Sequence, residues 1–574
     1  MSVLAIVFAA ALIFLIAYKT YGRYLTKKVF QLDDRNTTPS HTMNDGVDYI
    51  PTKKSFLLGQ HFSAIAAAGP INGPILAAML FGWAPALAWV ILGSVFIGGV
   101  HDMGSLVASI RNKANSITYV IKKYVSNSAW ILFMIFIWIT LVYIIVAFTD
   151  ITASSFVGEI TLENGEQVKG SYIASSSLMY LILPIMMGLI IKMGKMKEAI
   201  VLVIFLPLVG LAIWAGKFMP VSLHVGDVMA QQRFWGALIL VYCLIASIMP
   251  MWLLLQPRGA LGGYFLYVAL GVSTIGLVFG NYEIQFPAFT NLNSDGSLAS
   301  NFWTPMFPVL FIIIACGACS GFHSLVSSGT TSKQLNKESD AKPVAYGSML
   351  LEGMVAVISI ACVMILSQNS ELMKKAPNFI YAQGIGRFME LIGIPATFGI
   401  SFGLMAFTTF VYDTLDVCTR LGRYIIQELT GWRGLKGRVL GTLITVCVPM
   451  LFIFSTTLDV SGNVIPAWRI FWNTFGASNQ LLAALALVGV SVWLFYSRRS
   501  SNVYLAALIP AIIMFFMSNW ALVLAVYEGW WLGKGSPSVP FVSLLLIILS
   551  ILVAGISLVS VFRNKRQVDL ESIS

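Results

Sequence analysis

Five ionisable residues lie where the sequence is otherwise apolar, and together they could carry protons. His61 lies in GQHFSA, His101 and Asp102 lie in GGVHDMGS, and His323 lies in SGFHSLVSSGTTSKQ. Glu352 lies inside the apolar stretch YGSMLLEGMVA. Histidine titrates near neutral pH, and ionisable groups within a membrane usually serve transport. We predict a proton relay that uses these side chains; the alternative is that each one only binds a backbone carbonyl or hydroxyl at a helix end.

The segment after His323 is rich in hydroxyl groups. Four of these hydroxyl side chains and the lysine that follows them are candidate ligands: Ser327, Ser328, Thr330, Thr331 and Lys333. Hydroxyl oxygens suit a hard cation such as sodium, so we predict a cation site here. The ammonium of Lys333 could replace sodium, and we therefore favour protons over sodium as the coupling ion. The alternative is a polar loop that binds nothing.

A third chemical feature is the stretch GPINGPI within an apolar run. Its helix-breaking and polar residues are Gly69, Pro70, Asn72, Gly73 and Pro74. Proline removes a backbone donor and glycine permits unwinding, so the pattern predicts an interrupted helix whose freed groups bind a substrate or ion. We expect it to face a second interruption, at Ser247, Pro250 and Trp252. The alternative is a kinked helix that neighbouring helices repair.

These residues must be positioned within a membrane. The chain has 574 residues, of which 57% are hydrophobic and 11% charged, and its mean hydropathy is +0.82. Apolar runs of spanning length recur throughout, which predicts an all-α polytopic membrane protein in contact with the lipid bilayer. The net charge of +11 does not indicate nucleic acid, because lysine and arginine collect in alternate loops. No P-loop is present, so we expect transport driven by an ion gradient and no cofactor.

The six cysteines lie in or beside apolar segments, where a disulfide framework is not expected. Cys316 and Cys319 form a C-x-x-C pattern in ACGACSG. We interpret this stretch as small residues that allow close helix packing rather than as a metal site.

We predict about fifteen membrane-spanning helices, at residues 2–18, 57–82, 83–100, 128–149, 176–191, 198–216, 234–254, 260–280, 304–322, 343–367, 395–412, 438–456, 467–496, 502–527 and 540–562. No basic residue precedes the first of them, so we place the N-terminus outside. That arrangement puts 28 of the 36 lysines and arginines on the cytoplasmic side, together with the C-terminus. We therefore expect a multi-pass protein of the inner membrane.

Three other charged residues near predicted helix ends have simpler interpretations. We interpret Arg258 in QPRGAL as an anchor on the cytoplasmic side. Asp413 and Asp416 lie in DTLDVCTR, where Arg420 follows Asp416 by four residues, and this spacing predicts an ion pair along one helix.

Helix spacing also indicates internal repetition. Helices that begin near residues 57, 83 and 128 are spaced much like those that begin near 234, 260 and 304. We therefore divide the chain into an N-terminal helix and loop (1–56), a first repeat (57–216), a second repeat (234–412) and additional helices (413–574). Five helices per unit make the second repeat inverted, as in many secondary transporters.

Several of these stretches together resemble one family. GQHFSAIAAAGPINGPILAAMLFGW, GGVHDMGS, ACGACSGFHSLVSSGTTSKQ, YGSMLLEGMVA, DTLDVCTR and FGASNQLLAALAL are similar, in the same order, to motifs of the carbon starvation protein A family. The resemblance covers about residues 40–490 and implies a leucine-transporter-like core of two inverted five-helix repeats. It also implies uptake of peptides or, in some members, proton-coupled uptake of pyruvate. One difference is Gly259, where members of the family tend to carry an acidic residue.

The sequence thus predicts a secondary active transporter and not an enzyme. Its small-molecule substrate is a short peptide or a small carboxylate such as pyruvate, imported by alternating access with protons or sodium. Two other classes stay open at this point, namely a nutrient-gated channel and a membrane-embedded nutrient sensor. The lack of any output domain argues against a sensor, and a channel could not concentrate its solute.

Overall fold

The computed structural model describes residues 2–46, 49–162, 165–194, 196, 198–250, 252–290, 306–457, 464–497, 502–533 and 536–571. Within these residues the chain is almost entirely helical, and most helices are long and apolar. The predicted class, an all-α polytopic membrane protein, is confirmed. One short antiparallel hairpin interrupts the helices, with β1 at Glu159–Thr161 and β2 at Gln167–Lys169.

Apart from one four-residue helix at Pro39–Thr42, the first half of the described chain contains ten helices. They are α1 Val3–Val29, α2 Lys54–Ile65, α3 Gly69–Phe81, α4 Trp83–Ile110, α5 Ile117–Tyr124, α6 Asn127–Val157, α7 Gly170–Lys192, α8 Glu198–Gly216, α9 Val228–Ile248 and α10 Leu255–Gly280.

In the second half, from residue 306, we number nine more helices. The first two of them are short and belong to one interrupted helix. The nine helices are α11 Val309–Ile313, α12 Phe322–Gly329, α13 Glu338–Met364, α14 Pro377–Glu390, α15 Ala396–Thr430, α16 Gly434–Phe454, α17 Ala467–Ser497, α18 Asn502–Trp530 and α19 Ser538–Val561.

By length and apolarity alone, fewer helices qualify as membrane spans than the fifteen predicted. The described residues contain 12 helices that satisfy both, or 13 if α2 and α3, which are bent by 47°, form one span. α8 is a shorter apolar helix. The predicted number of about fifteen therefore stays a prediction, although nearly every predicted span coincides with a helix.

One predicted span is wrong in its form. Residues 304–322 were expected to be one continuous helix, but the described part contains α11, then an irregular stretch at 314–321, and then α12. The stretch ACGACSG consists of small residues, which contribute little side-chain packing to hold a helix and allow other backbones to approach. The chain therefore has a second interrupted helix about 250 residues after the first.

α14 was not predicted as a helix at all. Its 14 residues are fewer than the ~20 that a membrane-spanning helix needs, yet most of them are buried, among them Phe379, Ile380, Tyr381 and Ala382. The helix packs against α15 through glycine contacts: the Cα of Gly386 would lie 2.8 Å from a Cβ placed on Gly399. Glycine at such positions lets two helix backbones come close together.

Two parts of the chain share one order of elements. In the first, the interrupted helix α2–α3 is followed by α4, the short α5 and the long α6. In the second, the interrupted helix α11–α12 is followed by α13, the short α14 and the long α15. α4 and α13 each include a π-helical turn, at Ser94–Gly98 and at Lys342–Gly347. This order favours a second unit that begins at α11, whereas the predicted division at 57–216 and 234–412 stays a prediction.

The centre of the bundle is built from a few long helices. In the most apolar part of α15, 89% of the residues are buried inside the protein, compared with 33% for α1, α9, α18 and α19. α6, α13 and α17 are also mostly buried. The outer helices instead present large apolar side chains outward, as expected for contact with lipid. The inner helices enclose the two interrupted ones and all the buried ionisable groups.

Candidate functional site

The two interrupted helices lie against each other in antiparallel directions. A Cβ atom placed on Gly69 would collide with Cys316, and one placed on Gly73 would collide with the carbonyl group of Ile313. From Gly69 to Gly73 the residue number rises, whereas the contacted residue changes from 316 to 313, so the helices run in opposite directions. On the other side, a Cβ on Gly317 would lie 3.5 Å from the Cα of Pro70. The two interruptions are therefore in direct contact.

Asn72 lies at this contact without a hydrogen-bond partner. Its side chain is fully buried, and neither its amide nitrogen nor its amide oxygen is hydrogen-bonded within the described part of the chain. A buried amide that makes no hydrogen bond costs about 1–3 kcal/mol. A polar ligand between the two interrupted helices would provide both the acceptor and the donor that Asn72 lacks.

The second interruption is held by α17. The side-chain oxygen of Asn479 accepts a hydrogen bond from the backbone N–H of Phe322 at 3.0 Å, and the carbonyl of Asn479 accepts one from Gly321 at 3.0 Å. The next residue, Gln480, donates to the carbonyl of Phe311. Two consecutive polar residues thus bind both sides of the irregular stretch. The motif FGASNQ was quoted for its resemblance only, and its role depends on this long-range contact.

Side chains of α4 bind two further carbonyl groups of the same stretch. Ser94 donates to the carbonyl of Gly317 at 2.9 Å, and the indole N–H of Trp89 donates to the carbonyl of Ile314 at 3.3 Å. Ser94 begins the π-helical turn of α4. The interruption is consequently a defined structure with bound backbone groups and not an unfolded segment.

Four of the five predicted relay residues form one continuous chain. His101 Nδ1 lies 2.9 Å from Asp102 Oδ1, and His323 Nδ1 lies 3.0 Å from Asp102 Oδ2. The other ring nitrogen of His323, Nε2, lies 3.4 Å from Glu352 Oε2, but these two atoms make no hydrogen bond within the described residues. All four side chains are completely buried. They come from α4, α12 and α13, and His323, in the middle of the chain, lies in the first turn of α12 directly after the second interruption.

The fifth predicted relay residue, His61, lies apart from these contacts. Its Nδ1 is 2.8 Å from the hydroxyl of Thr331, and its Nε2 has no hydrogen-bond partner among the described residues. The imidazole therefore connects α2 to the segment that follows α12. It borders a small cavity described below, whereas the other four residues border neither of the two cavities described here.

The predicted cation ligands are only partly free to bind a cation. Ser328 donates to the carbonyl of Ser324 at 2.6 Å, and Thr330 donates to that of Val326 at 2.9 Å. Both bonds are local to α12, as is common for hydroxyl side chains in helices. The hydroxyl of Ser327 is buried with no partner among the described residues. Thr331 binds His61, and the ammonium of Lys333 lies 5.4 Å from the ring centre of Tyr49.

The other predicted substrate residues contact a different part of the molecule. Ser247 Oγ lies 3.2 Å from the hydroxyl of Thr442 on α16, and Lys192 lies over the ring of Trp252 at 3.7 Å. Pro250 is exposed. The segment that GPINGPI faces is instead 313–317. The predicted position of the second interruption followed the proline in ASIMPMW. The second interruption of the structure contains no proline and was therefore missed.

Arg258 and the two aspartates of α15 were wrongly interpreted. Arg258 is completely buried, and its Nη1 lies 2.7 Å from Asp416 Oδ2 while its Nε lies 2.5 Å from Asp413 Oδ1. Asp413 also accepts a hydrogen bond from Ser63 at 2.6 Å. Arg420 does not pair with Asp416 but donates to the carbonyls of residues 246 and 249. We call Arg258, Asp413, Asp416, Tyr242 and Ser63 the arginine cluster.

The arginine cluster joins four helices. Tyr242 of α9 donates to Asp416 at 3.0 Å and accepts a hydrogen bond from Arg258 of α10. Ser63 belongs to α2, and both aspartates belong to α15. One guanidinium therefore faces two carboxylates in the interior. Two polar atoms have no hydrogen-bond partner among the described residues, namely Nη2 of Arg258 and Oδ1 of Asp416.

A cavity of about 260 Å³ enters the bundle from one end. Its charged lining residues are Lys333, Arg420 and Glu428. Its polar lining includes Asn115, Ser116 and Thr118. The cavity lies at the end where α4, α12 and α15 finish. A smaller cavity of about 30 Å³ adjoins it, and both share Leu255, Thr330 and Val417.

The smaller cavity reaches the buried ionisable residues. It is lined by His61, Gln60, Thr331, Gly259 and Asp413. Arg258 is not part of this lining, so Asp413 stands between the cavity and the guanidinium. A path of cavities and polar side chains therefore leads from one end of the bundle to the arginine cluster and to the inner end of α2.

The opposite end of the bundle is closed by polar contacts. Asp150 of α6 is buried and accepts hydrogen bonds from the backbone N–H of Trp468 at 2.8 Å and from Gln232 at 2.9 Å. Trp468 is in the first turn of α17, where a carboxylate is favoured by the helix dipole. Nearby, Asn378 of α14 donates to Ser155 at 2.8 Å. These contacts tie α6 to α9, α14 and α17 at the end that carries the β-hairpin.

This architecture defines a polytopic membrane protein whose interrupted helices enclose buried polar groups, and the sequence comparisons place it in a family. The chain belongs to the family described as "Carbon starvation protein CstA", whose model matches residues 2–378 and 367–521. The peptide transporter CstA of Helicobacter pylori is 31% identical over 592 residues, covering 91% of this chain and 82% of that protein.

Two further relatives have comparable similarity. The peptide transporter CstA of Bacillus subtilis is 31% identical, covering 93% of this chain and 91% of that protein. The pyruvate/proton symporter BtsT of Escherichia coli is 27% identical, covering 92% of this chain and 82% of that protein. These relatives are named as transporters and not as enzymes, in agreement with the predicted absence of catalytic activity.

The matches to solved structures have low identity and TM-scores under 0.5. The manganese transporter of Eremococcus coleocola matches with a TM-score of 0.49 and 12% identity, covering 91% of this chain and 99% of that one. MhsT in complex with L-phenylalanine matches with a TM-score of 0.46 and 11% identity, covering 81% of this chain and 98% of that one.

Proposed function

We propose that this protein is a secondary active transporter that imports a short peptide or a small carboxylate such as pyruvate. The observation that carries the proposal is the direct contact of two interrupted helices around the unpaired, buried amide of Asn72. The names of the relatives, a peptide transporter and a pyruvate/proton symporter, support this class of substrate. Both substrates carry a carboxylate.

The substrate binds between the two interruptions in this proposal. Helix N-termini favour anions, and both α3 and α12 begin at the interruptions, at Gly69 and Phe322. The amide of Asn72 can donate to a carboxylate or accept from a peptide N–H. Alternating access then follows from movement of the interrupted helices, in a leucine-transporter-like arrangement of two inverted units that begin at α2 and α11.

Protons are the coupling ion in this proposal. The chain of His101, Asp102, His323 and Glu352 provides neighbouring groups that exchange protons and includes His323, directly after the second interruption. Sodium is less suited to the deepest oxygen cluster, because the carboxylates there already surround the guanidinium of Arg258. Most hydroxyls near residues 328–331 are likewise engaged in hydrogen bonds.

The cavity and the charge distribution support an orientation. Most lysines and arginines are in the loops that an outside N-terminus would place in the cytoplasm, and the cavity opens at the same end of the bundle. Basic residues favour the cytoplasmic side of a membrane. The structure then corresponds to a state that is open toward the cytoplasm and closed on the outside by the contacts of Asp150. The protein resides in the inner membrane with its C-terminus in the cytoplasm.

Uptake into proteoliposomes tests the proposal. Purified protein is reconstituted, and accumulation of labelled pyruvate and of a labelled dipeptide is measured under an imposed proton gradient or an imposed sodium gradient. Accumulation above the external concentration that depends on the proton gradient is the expected result. Equilibration without accumulation would indicate a channel, dependence on sodium alone would reject proton coupling, and absence of any uptake would reject the transporter.

A further inference from the structure

The arginine cluster is a buried site with an unequal number of charges. One guanidinium, that of Arg258, faces the two carboxylates of Asp413 and Asp416. A charge buried without compensation is costly, so one carboxylate in such a set is readily neutralised by a proton. None of the residues assigned above to substrate binding or to the histidine chain belongs to this cluster.

The two carboxylates differ in their access to the cavity. Asp413 lines the small cavity of about 30 Å³, whereas Asp416 lines neither cavity. A proton can therefore reach Asp413 from the cavity end of the bundle. Asp413 also binds Ser63, which lies three residues before the first interruption begins at Ala66. The state of Asp413 is thus linked by direct contacts to Arg258 and to the interrupted helix.

The guanidinium has binding capacity beyond its present partners. Its Nη2 is buried and has no hydrogen-bond partner within the described residues. Its Nε is bound only by Asp413, and Nε and Nη2 lie on the same edge of the planar group. Two N–H donors on one edge match the two oxygens of a carboxylate. A ligand carboxylate that replaced Asp413 would bind both of them.

We propose that the arginine cluster is a second binding site for the carboxylate of the substrate, separate from the site at Asn72 and dependent on a proton. A proton from the cavity binds to Asp413, whose bond to Arg258 loses its ionic character. The substrate carboxylate then accepts hydrogen bonds from Nε and Nη2 of Arg258. Release reverses these steps: Asp413 gives its proton to water in the cavity and again binds Arg258, displacing the substrate.

The helices packed against the arginine cluster carry other titratable or charged side chains, which surround the proposed exchange. α15 provides Asp416 and, farther toward the cavity, Arg420. α9 provides Tyr242 and α7 provides Tyr180, both of which interact with the charges of the cluster. α2 provides His61, which lines the same small cavity as Asp413. Asp416 stays bound to Arg258 and Tyr242 during the exchange, so the guanidinium always has a counter-charge.

This inference rests on the proposed function, and proteoliposomes can test the two separately. Asp413→Asn cannot ionise and resembles the protonated side chain. We expect it to exchange labelled for unlabelled pyruvate across the membrane, while accumulation driven by a proton gradient falls by about tenfold or more. The half-saturating pyruvate concentration for exchange, which should rise with pH in the wild type, should become independent of pH in this variant.

Two further variants address binding and folding. Arg258→Lys keeps the charge but lacks the planar donor pair, and we expect it to raise the half-saturating concentration about tenfold. Asp413→Glu keeps a titrating group and should retain accumulation, which provides a measurement if Asp413→Asn fails to elute as a single species in detergent. Asp227→Asn makes the same chemical change at the exposed N-cap of α9, where asparagine caps as well as aspartate, and should leave the pH dependence of exchange unchanged.

The possible results distinguish failure of the proposed function from failure of this inference alone. A wild type that accumulates neither pyruvate nor a dipeptide rejects the proposed function. A wild type that accumulates substrate, together with an Asp413→Asn variant that accumulates it equally well, rejects only this inference. Unchanged half-saturation in Arg258→Lys, or loss of pH dependence in Asp227→Asn as large as that in Asp413→Asn, would also overturn it.

Discussion

The substitution Gly73→Ala examines whether the two interrupted helices must stay in backbone contact. The added Cβ would collide with the carbonyl oxygen of Ile313 and lie 3.3 Å from the Cα of Ile314. Because the obstacle is backbone, α3 and α11 must separate, which costs about 1–3 kcal/mol. Loss of the Gln480 bond to Phe311 adds about 1 kcal/mol, and the helix propensity of alanine offsets about 1 kcal/mol. A net cost of about 1–3 kcal/mol is expected.

A cost of this size, if it falls on the state in which the helices touch, changes the population of that state about 5- to 150-fold. We expect uptake by Gly73→Ala to fall at least about fivefold in proteoliposomes, with a lower melting temperature in detergent. The matched control is Gly271→Ala on α10, where a Cβ meets no heavy atom within 4 Å. Its uptake and melting temperature should not fall. Wild-type values for both quantities in Gly73→Ala would refute the reasoning.

Three further predictions concern the relay, the second interruption and the orientation. Asp102→Asn provides one acceptor oxygen in place of two for the flanking histidines, so proton-driven uptake should fall about tenfold or more; unchanged uptake would exclude the relay. Asn479→Ala leaves the N–H of Phe322 without its acceptor and should reduce the free energy of unfolding by about 1–3 kcal/mol, measured as a lower melting temperature. An impermeant maleimide should label Gly165→Cys in intact cells and Lys337→Cys only after permeabilisation, and the opposite pattern would reverse the proposed orientation.

The features that the sequence predicts well have local signals. Glycine and proline favour a break or a start of a helix, so an interruption near GPINGPI was predictable from seven residues. Its position was predicted wrongly, because the break lies at residues 66–68 and the whole motif, including Gly73 and Pro74, is helical within α3. His101, Asp102, His323 and Glu352 were conspicuous because ionisable residues are rare in apolar segments. Their types were therefore sufficient to select them, although their spacing along the chain did not reveal that they form one connected set.

The features that were missed depend on contacts between distant segments. The sequence places Arg420 four residues from Asp416, but the actual partner of Asp416 is Arg258, which is 158 residues away along the chain. The second interruption carries no proline, and it is held by Asn479 and Ser94, which belong to other helices. Nothing local distinguishes such a stretch of small residues from a regular helix. Only the packing of the whole bundle brings the binding groups to it.

One guanidinium facing two carboxylates also has an electrical consequence. If each cycle carries one proton on Asp413 and one substrate, a pyruvate anion and its proton move together with no net charge. Membrane voltage then contributes nothing, and a gradient of one pH unit, worth about 1.4 kcal/mol, concentrates pyruvate about tenfold. A zwitterionic dipeptide would instead move one positive charge, for which 100 mV adds about 2.3 kcal/mol. The current that accompanies uptake would therefore reveal which of the two substrates the proton travels with.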